Sequence, residues 1–389
     1  MGDQTKMAMV SLANLDHADF QQYDQAVAED YSLPQIGESG VPVSLGIQTL
    51  DLELRPELKR LLERYPSIEL MGSTFSHVLM PLVHPEHQRW QLQNGPQGQV
   101  TFLSEFATPP EVLPDVFLVQ GQESACYTYD EDALREARNF INGADDPHRY
   151  EAIHYRGKLG LVMRQTREMV KPYFEFQCDP EGKIDALIES WTRQLNDYDG
   201  DVIIMPMDTE ACFIGSAGWG SKINEKLFAA LRQSGLADRM VTLSQAAKIL
   251  APKAVETSWP GRDLIAKWTG STAQLDYVDS LRNFFPATER QHKLLAVAAI
   301  SDALVGIRYQ QRAGKQPFTL SGKTLEGLNK TITIGPHPDI LTVCQAARWA
   351  LMGKSGKSKG SFRSRLRRKG NMNSLFVQDF LNWAEREEL

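Results

Sequence analysis

Apolar residues in this chain come in short runs that stop abruptly at polar groups. The clearest is Val202-Ile203-Ile204-Met205-Pro206-Met207, which ends in Asp208-Thr209-Glu210. A run of that length, preceded by the turn residues Asp199, Gly200 and Asp201, predicts a buried strand with two carboxylates at its C-terminal end. A glycine-containing stretch follows, and a helical pattern starts near Ile223. The same grammar recurs upstream. Residues 7–15, 41–48, 100–103, 116–120, 173–178 and 240–242 read as strands, as does the segment that begins at Ile68 and runs into the polar cluster ending at His77. Residues 55–65, 130–142, 184–196 and 244–250 carry helical spacing.

Strand and helix alternate through the first 250 residues, which predicts a parallel sheet with helices outside it. So many units in one domain favour a closed barrel over an open doubly wound sheet, and no glycine-rich dinucleotide fingerprint follows the first strand. Beyond residue 250 the pattern turns helical, over 276–285, 289–314, 340–352 and 374–388. The expected organisation is a (β/α) barrel over 1–250 and a mainly helical C-terminal region over 251–389. Between the last two helices lies the basic, Gly- and Ser-rich stretch 353–370, GKSGKSKGSFRSRLRRKG, expected as a loop. No glycine stands five positions before either Gly-Lys pair and no strand precedes them, so a phosphate-binding loop is excluded.

Composition narrows the class. The 389 residues are 42% hydrophobic and 23% charged, as in ordinary globular proteins, and the net charge of −7 gives no global attraction to nucleic acid. Only the 353–370 stretch offers a polyanion a place to bind. No segment approaches the roughly 18 apolar residues of a membrane span, and the first twenty residues lack a signal peptide's basic start and apolar centre. A cytoplasmic protein is expected. Cys126, Cys178, Cys212 and Cys344 are scattered, without the paired spacing of a disulfide framework or a zinc module.

Glu105 follows the 100–103 run just as Asp208 follows its own, and a barrel gathers all strand ends on one face. Two carboxylates across a pocket are the usual equipment for glycosidic cleavage, one as nucleophile and the other as general acid and then base. In extended geometry Glu210 falls on the same side as Asp208, where it can orient the site or raise the pKa of its neighbour. Trp219 and Trp268 are candidate platforms for the apolar face of a sugar, and His77 for contact with a hydroxyl. His77, His84 and His87 also raise a metal reading. Pro81 and Pro85 interrupt that region, so no metal site is assigned.

Three segments, in order, resemble glycoside hydrolase family 57, the α-glucan amylases, 4-α-glucanotransferases and branching enzymes. Glu69-Leu70-Met71-Gly72-Ser73-Thr74-Phe75-Ser76-His77-Val78-Leu79-Met80-Pro81-Leu82 is similar to that family's Glu-Leu-Leu-Gly-x-x-Tyr-Ser-His-Pro-Ile-Leu-Pro segment. Phe102-Leu103-Ser104-Glu105 looks like its nucleophile segment, which implies Glu105 as nucleophile. Met207-Asp208-Thr209-Glu210 resembles its Phe-Asp-Thr-Glu segment, which implies Asp208 as acid/base. The resemblance spans about residues 7–250. It implies an α/β fold, an incomplete (β/α)7 barrel followed by helices, with an oligo- or polysaccharide substrate, retention at the anomeric carbon and no cofactor. Where the family's first strand ends in a His-Gln-Pro type motif, this chain has Asp16-His17-Ala18, which makes His17 the corresponding substrate-binding candidate. Two other classes remain open: a metal-dependent carbohydrate deacetylase on a related barrel, and a catalytically silent binding or assembly protein that works through its basic stretch.

Overall fold

The computed structural model describes residues 5–12, 33–103, 111–119, 150–163, 167–208, 222–256, 271–311, 318–323, 329–334, 338–353, 360–370 and 374–389. Its strands, in chain order, are β1 (Lys6–Leu12), β2 (Val43–Gly46), β3 (Ile68–Leu70), β4 (Thr101–Phe102), β5 (Val116–Val119), β6 (Ala152–Tyr155), β7 (Lys158–Val162), β8 (Val202–Asp208), β9 (Met240–Val241), β10 (Val255–Glu256), β11 (Phe318–Lys323) and β12 (Asn329–Ile334). The α-helices are α1 (Leu33–Ser39), α2 (Thr49–Leu54), α3 (Pro56–Arg64), α4 (Pro85–Asn94), α5 (Arg167–Cys178), α6 (Ile184–Asp197), α7 (Lys222–Gln233) and α8 (Leu243–Leu250). They continue with α9 (Thr272–Arg282), α10 (Glu289–Ala298), α11 (Ser301–Gln311), α12 (Pro338–Met352), α13 (Phe362–Lys369) and α14 (Leu375–Arg386). None of the described helices is long and apolar enough to cross a membrane.

The apolar run that opens the sequence argument is the backbone of the fold. β8 pairs in parallel with β1 along its whole length, from Lys6↔Val202 to Leu12↔Asp208. β2 and β3 extend the sheet in parallel beyond β1, and β9 adds beside Met7 and Ala8. The sheet then passes through one residue. Gly72 forms a parallel bridge with Thr101, donating its N–H to the Val100 carbonyl at 2.9 Å and accepting the Phe102 N–H at 2.7 Å. That bridge joins β3 to the second sheet, ordered β4-β5-β7-β6-β10. At the far side, Glu151 Oε1 accepts the N–H groups of Asp201 and Val202 at 2.8 and 3.1 Å, which brings the start of β6 beside the start of β8. The result is a curled, mostly parallel half-barrel covered by helices.

The period-two alternation of a strand sorts the two faces. Ala8, Val10, Met71, Phe102, Val202 and Ile204 form an inner apolar cluster with Leu243, Ala246 and Leu250 of α8. Met7, Met9, Ile203, Met205 and Met207 point the other way, into a larger core built with the helices. α8 is set into the curl by a capping box at Thr242 and Gln245. Ser44 Oγ accepts the Leu243 N–H at 2.7 Å, and Glu69 Oε2 accepts both the Ser44 hydroxyl at 2.6 Å and the Ser244 N–H at 3.2 Å. α14 closes back onto α2: Trp383 Nε1 donates to Glu53 Oε2 at 2.7 Å and Arg386 to the Glu53 carbonyl at 3.0 Å.

Several expectations are corrected. Residues 173–178, read as a strand, are the second half of α5. Met169, Tyr173 and Phe176 give it a buried helical face despite Pro172, and Trp191 Nε1 holds the Met169 carbonyl at 3.1 Å. The sheet is not wholly parallel, because β6 and β7 form an antiparallel hairpin whose turn residues Arg156 and Gly157 both have positive φ. The 289–314 helix is two helices, parted where Ile300 bridges Val78. The helical region also carries an antiparallel hairpin, β11 with β12. Within the basic 353–370 stretch, residues 362–369 are helical rather than loop, since Phe362, Arg365 and Leu366 supply a buried i, i+3, i+4 face and Ser361 caps the start.

Candidate active site

Every sheet neighbour that links β8 to β4 runs parallel, through β1, β2, β3 and the Gly72 bridge. The C-terminal ends of β8 and β4 therefore lie on the same rim of the curl, the rim at which parallel α/β sheets place their chemistry. Asp208 is the last residue of β8, in register with Leu12. Its position has the parity of Val202 and Ile204, whose side chains fill the inner cluster. Glu105 follows β4 by three positions and lies outside the described residues, as do His17, Glu210, Trp219 and Trp268.

The first segment of the resemblance, residues 69–82, is fully described, and it is a buried polar seam. After β3 the chain turns through Ser73, Thr74, Phe75, Ser76 and His77, all nearly inaccessible. Ser73 N–H donates to the Pro96 carbonyl, and Phe75 N–H to the Gln91 carbonyl. Ser76 donates its N–H to Gln91 Oε1 at 3.0 Å and its hydroxyl to the Ala296 carbonyl at 2.8 Å. His77 is 6% exposed, its Nδ1 lies 2.7 Å from Ser301 Oγ, and its carbonyl accepts the Ser301 N–H at 2.9 Å. His77 thus ties the exit of β3 to the first turn of α11.

The three histidines of the metal reading have separate partners. His84 Nδ1 accepts the Glu86 N–H and caps α4. His87 faces His292, with the two Nδ1 atoms 3.0 Å apart. Burial pushes the His87 imidazole well below its ordinary pKa, and the neighbouring His292 adds to that depression. His292 is also lowered, by burial first, against the opposing pull of Glu289 and Glu86. Among the described residues no group of three or more His, Cys, Asp or Glu side chains is arranged to hold a metal ion.

Two of the clefts among the described residues sit at the starts of strands rather than at the rim of Asp208. One, of about 410 Å³, lies beside Gln97, Gln99, Thr101 and Val116. The other, of about 340 Å³, lies between Tyr150, Tyr198 and Lys253. Sequence reasoning missed the partners that fix the seam, namely Gln91, His292, Ser301 and the Ala296 carbonyl. They lie on α4, α10 and α11; Gln91 is 15 positions from Ser76, while the pairings that involve Ala296, Ser301 and His292 span more than 200 positions, which no local pattern marks.

Against known proteins, no family model matches the chain and no curated protein matches it. Solved structures do match. One of them is an exo-type maltose-forming amylase from Pyrococcus sp. ST04, aligned over 97% of this chain and 71% of that one, with a TM-score of 0.41 and 10% identity. Likeness at that level carries no weight for the reaction.

Proposed function

We propose that this protein is a retaining carbohydrate-active enzyme that hydrolyses or transfers α-glycosidic bonds of glucan-like substrates. Glu105 attacks the anomeric carbon, and Asp208 protonates the leaving oxygen and then activates the acceptor. The observation that carries the reading is topological: position 208 ends β8, position 105 closely follows β4, and an unbroken set of parallel pairings puts both strand ends on one rim. The ordered family-57-like segments around residues 69–82, 102–105 and 207–210 supply the chemistry expected there. The division of labour needs one carboxylate ionised as nucleophile and the other protonated at the moment of attack. His17, His77, Glu210, Trp219 and Trp268 are proposed to contact or frame the sugar. A protein working in the cytoplasm on an oligo- or polysaccharide fits this reading.

Incubating the purified protein with maltooligosaccharides, with and without a chelator, and following products by mass spectrometry tests the proposal. New chain lengths that persist under chelation are expected. Longer products report transfer and shorter ones alone report hydrolysis. Loss of acetyl groups that stops under chelation would instead identify the deacetylase class.

A further inference from the structure

The seam between the half-barrel and the helical region contains two facing imidazoles whose protons are dictated by their neighbours. The Nδ1 atoms of His87 and His292 are 3.0 Å apart, with ring centroids 5.3 Å apart and planes 17° from parallel. Those distances set the rings nearly edge to edge, with an N–H···N hydrogen bond between them. Trp90 lies parallel to both rings, at 5.5 and 5.3 Å, and its Nε1 donates to Glu289 Oε2 at 2.8 Å. His87 is fully buried.

Gln91 fixes the direction of the chain of bonds. Its Oε1 accepts the Ser76 N–H, so the Nε2 group is the donor, and that nitrogen lies 3.0 Å from His87 Nε2 and 3.1 Å from Ser76 Oγ. His87 Nε2 must therefore be an acceptor, its proton must sit on Nδ1, and His292 Nδ1 must be bare. No second proton fits. On His87 Nε2 it would face the Gln91 amide hydrogens; on His292 Nδ1 it would face the His87 proton. The remaining arrangement, a doubly protonated His292 donating to His87, moves the His87 proton to Nε2 and meets Gln91 again. Gln91 could turn over only by giving up the Ser76 N–H.

We propose that His87, His292 and Gln91 form an acid-sensitive latch that holds α4 and the Ser73–Val78 segment against α10 and opens as the pair takes up a proton. The inference does not depend on the catalytic reading. The charged groups around the pair are Glu86 and Arg89 on α4, which pair with each other, and Glu289 and Lys293 on α10, with Glu387 reaching Lys293 from beyond α14 at 2.5 Å. On the segment itself the titratable group is His77, bonded to Ser301. Glu86 and Glu289 favour a charged His292, yet burial outweighs them. The sign follows. Both histidines resist protonation when folded, so the latch is at full strength above the ordinary histidine pKa of about 6.5. It weakens as pH falls below that value, by up to about tenfold per pH unit for each proton withheld.

The test is hydrogen exchange with protection factors corrected for intrinsic rates, on the full chain, between pH 7.0 and 5.0. The amides of Ser76, Ala299 and Ser301 are expected to lose protection about tenfold or more, while those of β1 and β8 keep theirs. In Gln91→Glu the carboxylate accepts a proton-bearing His87 Nε2, so the loss should move to lower pH. In His292→Asn one titrating group is gone, and the loss should shrink. Protection that stays flat across the range would overturn the latch. So would protection lost in step with β1 and β8, or a midpoint unchanged in both variants.

Discussion

Replacing Asp208 with Asn is expected to cut turnover of a maltooligosaccharide by about 10²- to 10⁴-fold, the usual contribution of a positioned general acid. The same variant should keep far more of its kcat/KM on a glucosyl fluoride, because that constant reports only the steps up to loss of the leaving group, and fluoride departs without a proton. Glu105→Gln removes the nucleophile, so both substrates should suffer, on the order of 10³-fold or more. This split by leaving group is what a structural role cannot imitate: a misfolded or loosened rim would slow both substrates alike in both variants. Initial rates on the two substrates well below KM, with circular dichroism to check folding, decide it. Equal losses of kcat/KM in Asp208→Asn on both substrates would remove Asp208 from the acid's role.

Gly98→Ala is expected to destabilise the fold by about 3 kcal/mol, near the upper end for overpacking a rigid position. A methyl group at Gly98 would stand 2.2 Å from the Gly72 nitrogen, 2.7 Å from the Met71 carbonyl carbon and 2.9 Å from the Leu70 oxygen. All three are backbone atoms at the exit of β3, so no side chain can swing aside. What must yield is the Gly72–Thr101 bridge, the single residue through which one sheet continues into the other. A urea titration measures the loss. Exposed surface controls such as Gln93→Ala should leave the midpoint within about 0.5 kcal/mol of the parent. A Gly98→Ala protein as stable as the parent would mean that the two sheets are not held together there.

The elements that the sequence made legible are those whose own pattern decides them. β8 and β1 are long apolar runs buried on both faces, as strands of a covered parallel sheet must be, and α6 and α7 are strongly amphipathic. In α5, Tyr173, Phe174 and Phe176 carry strand preference, while the buried spacing of Met169, Tyr173 and Phe176 is helical and packing on Trp191 prevails. The β6–β7 hairpin turns on Arg156-Gly157, a weaker local signal than Asn-Gly. In α13 the charges of Arg363, Arg367, Arg368 and Lys369 masked a buried face of Phe362, Arg365 and Leu366. For the candidate site, strand ends flag Glu105 and Asp208 as polar residues beyond apolar runs, but the shared rim of β4 and β8 depends on the order of strands. That order runs through Gly72, a residue with no side chain to advertise it. The polar seam at Ser76 and His77 is visible only as a motif, because apart from Gln91 its side-chain partners come from residues beyond 290.

The most direct test of the central claim is to incubate the protein with a 5-fluoro-α-glucosyl fluoride, which forms its glycosyl-enzyme faster than water can clear it, and to map the labelled peptide by mass spectrometry. The account predicts one added fluoroglucosyl group per chain, carried on the peptide that contains Glu105, and none in Glu105→Gln. A label on a different carboxylate, or an unlabelled protein that still cleaves maltooligosaccharides, would contradict it.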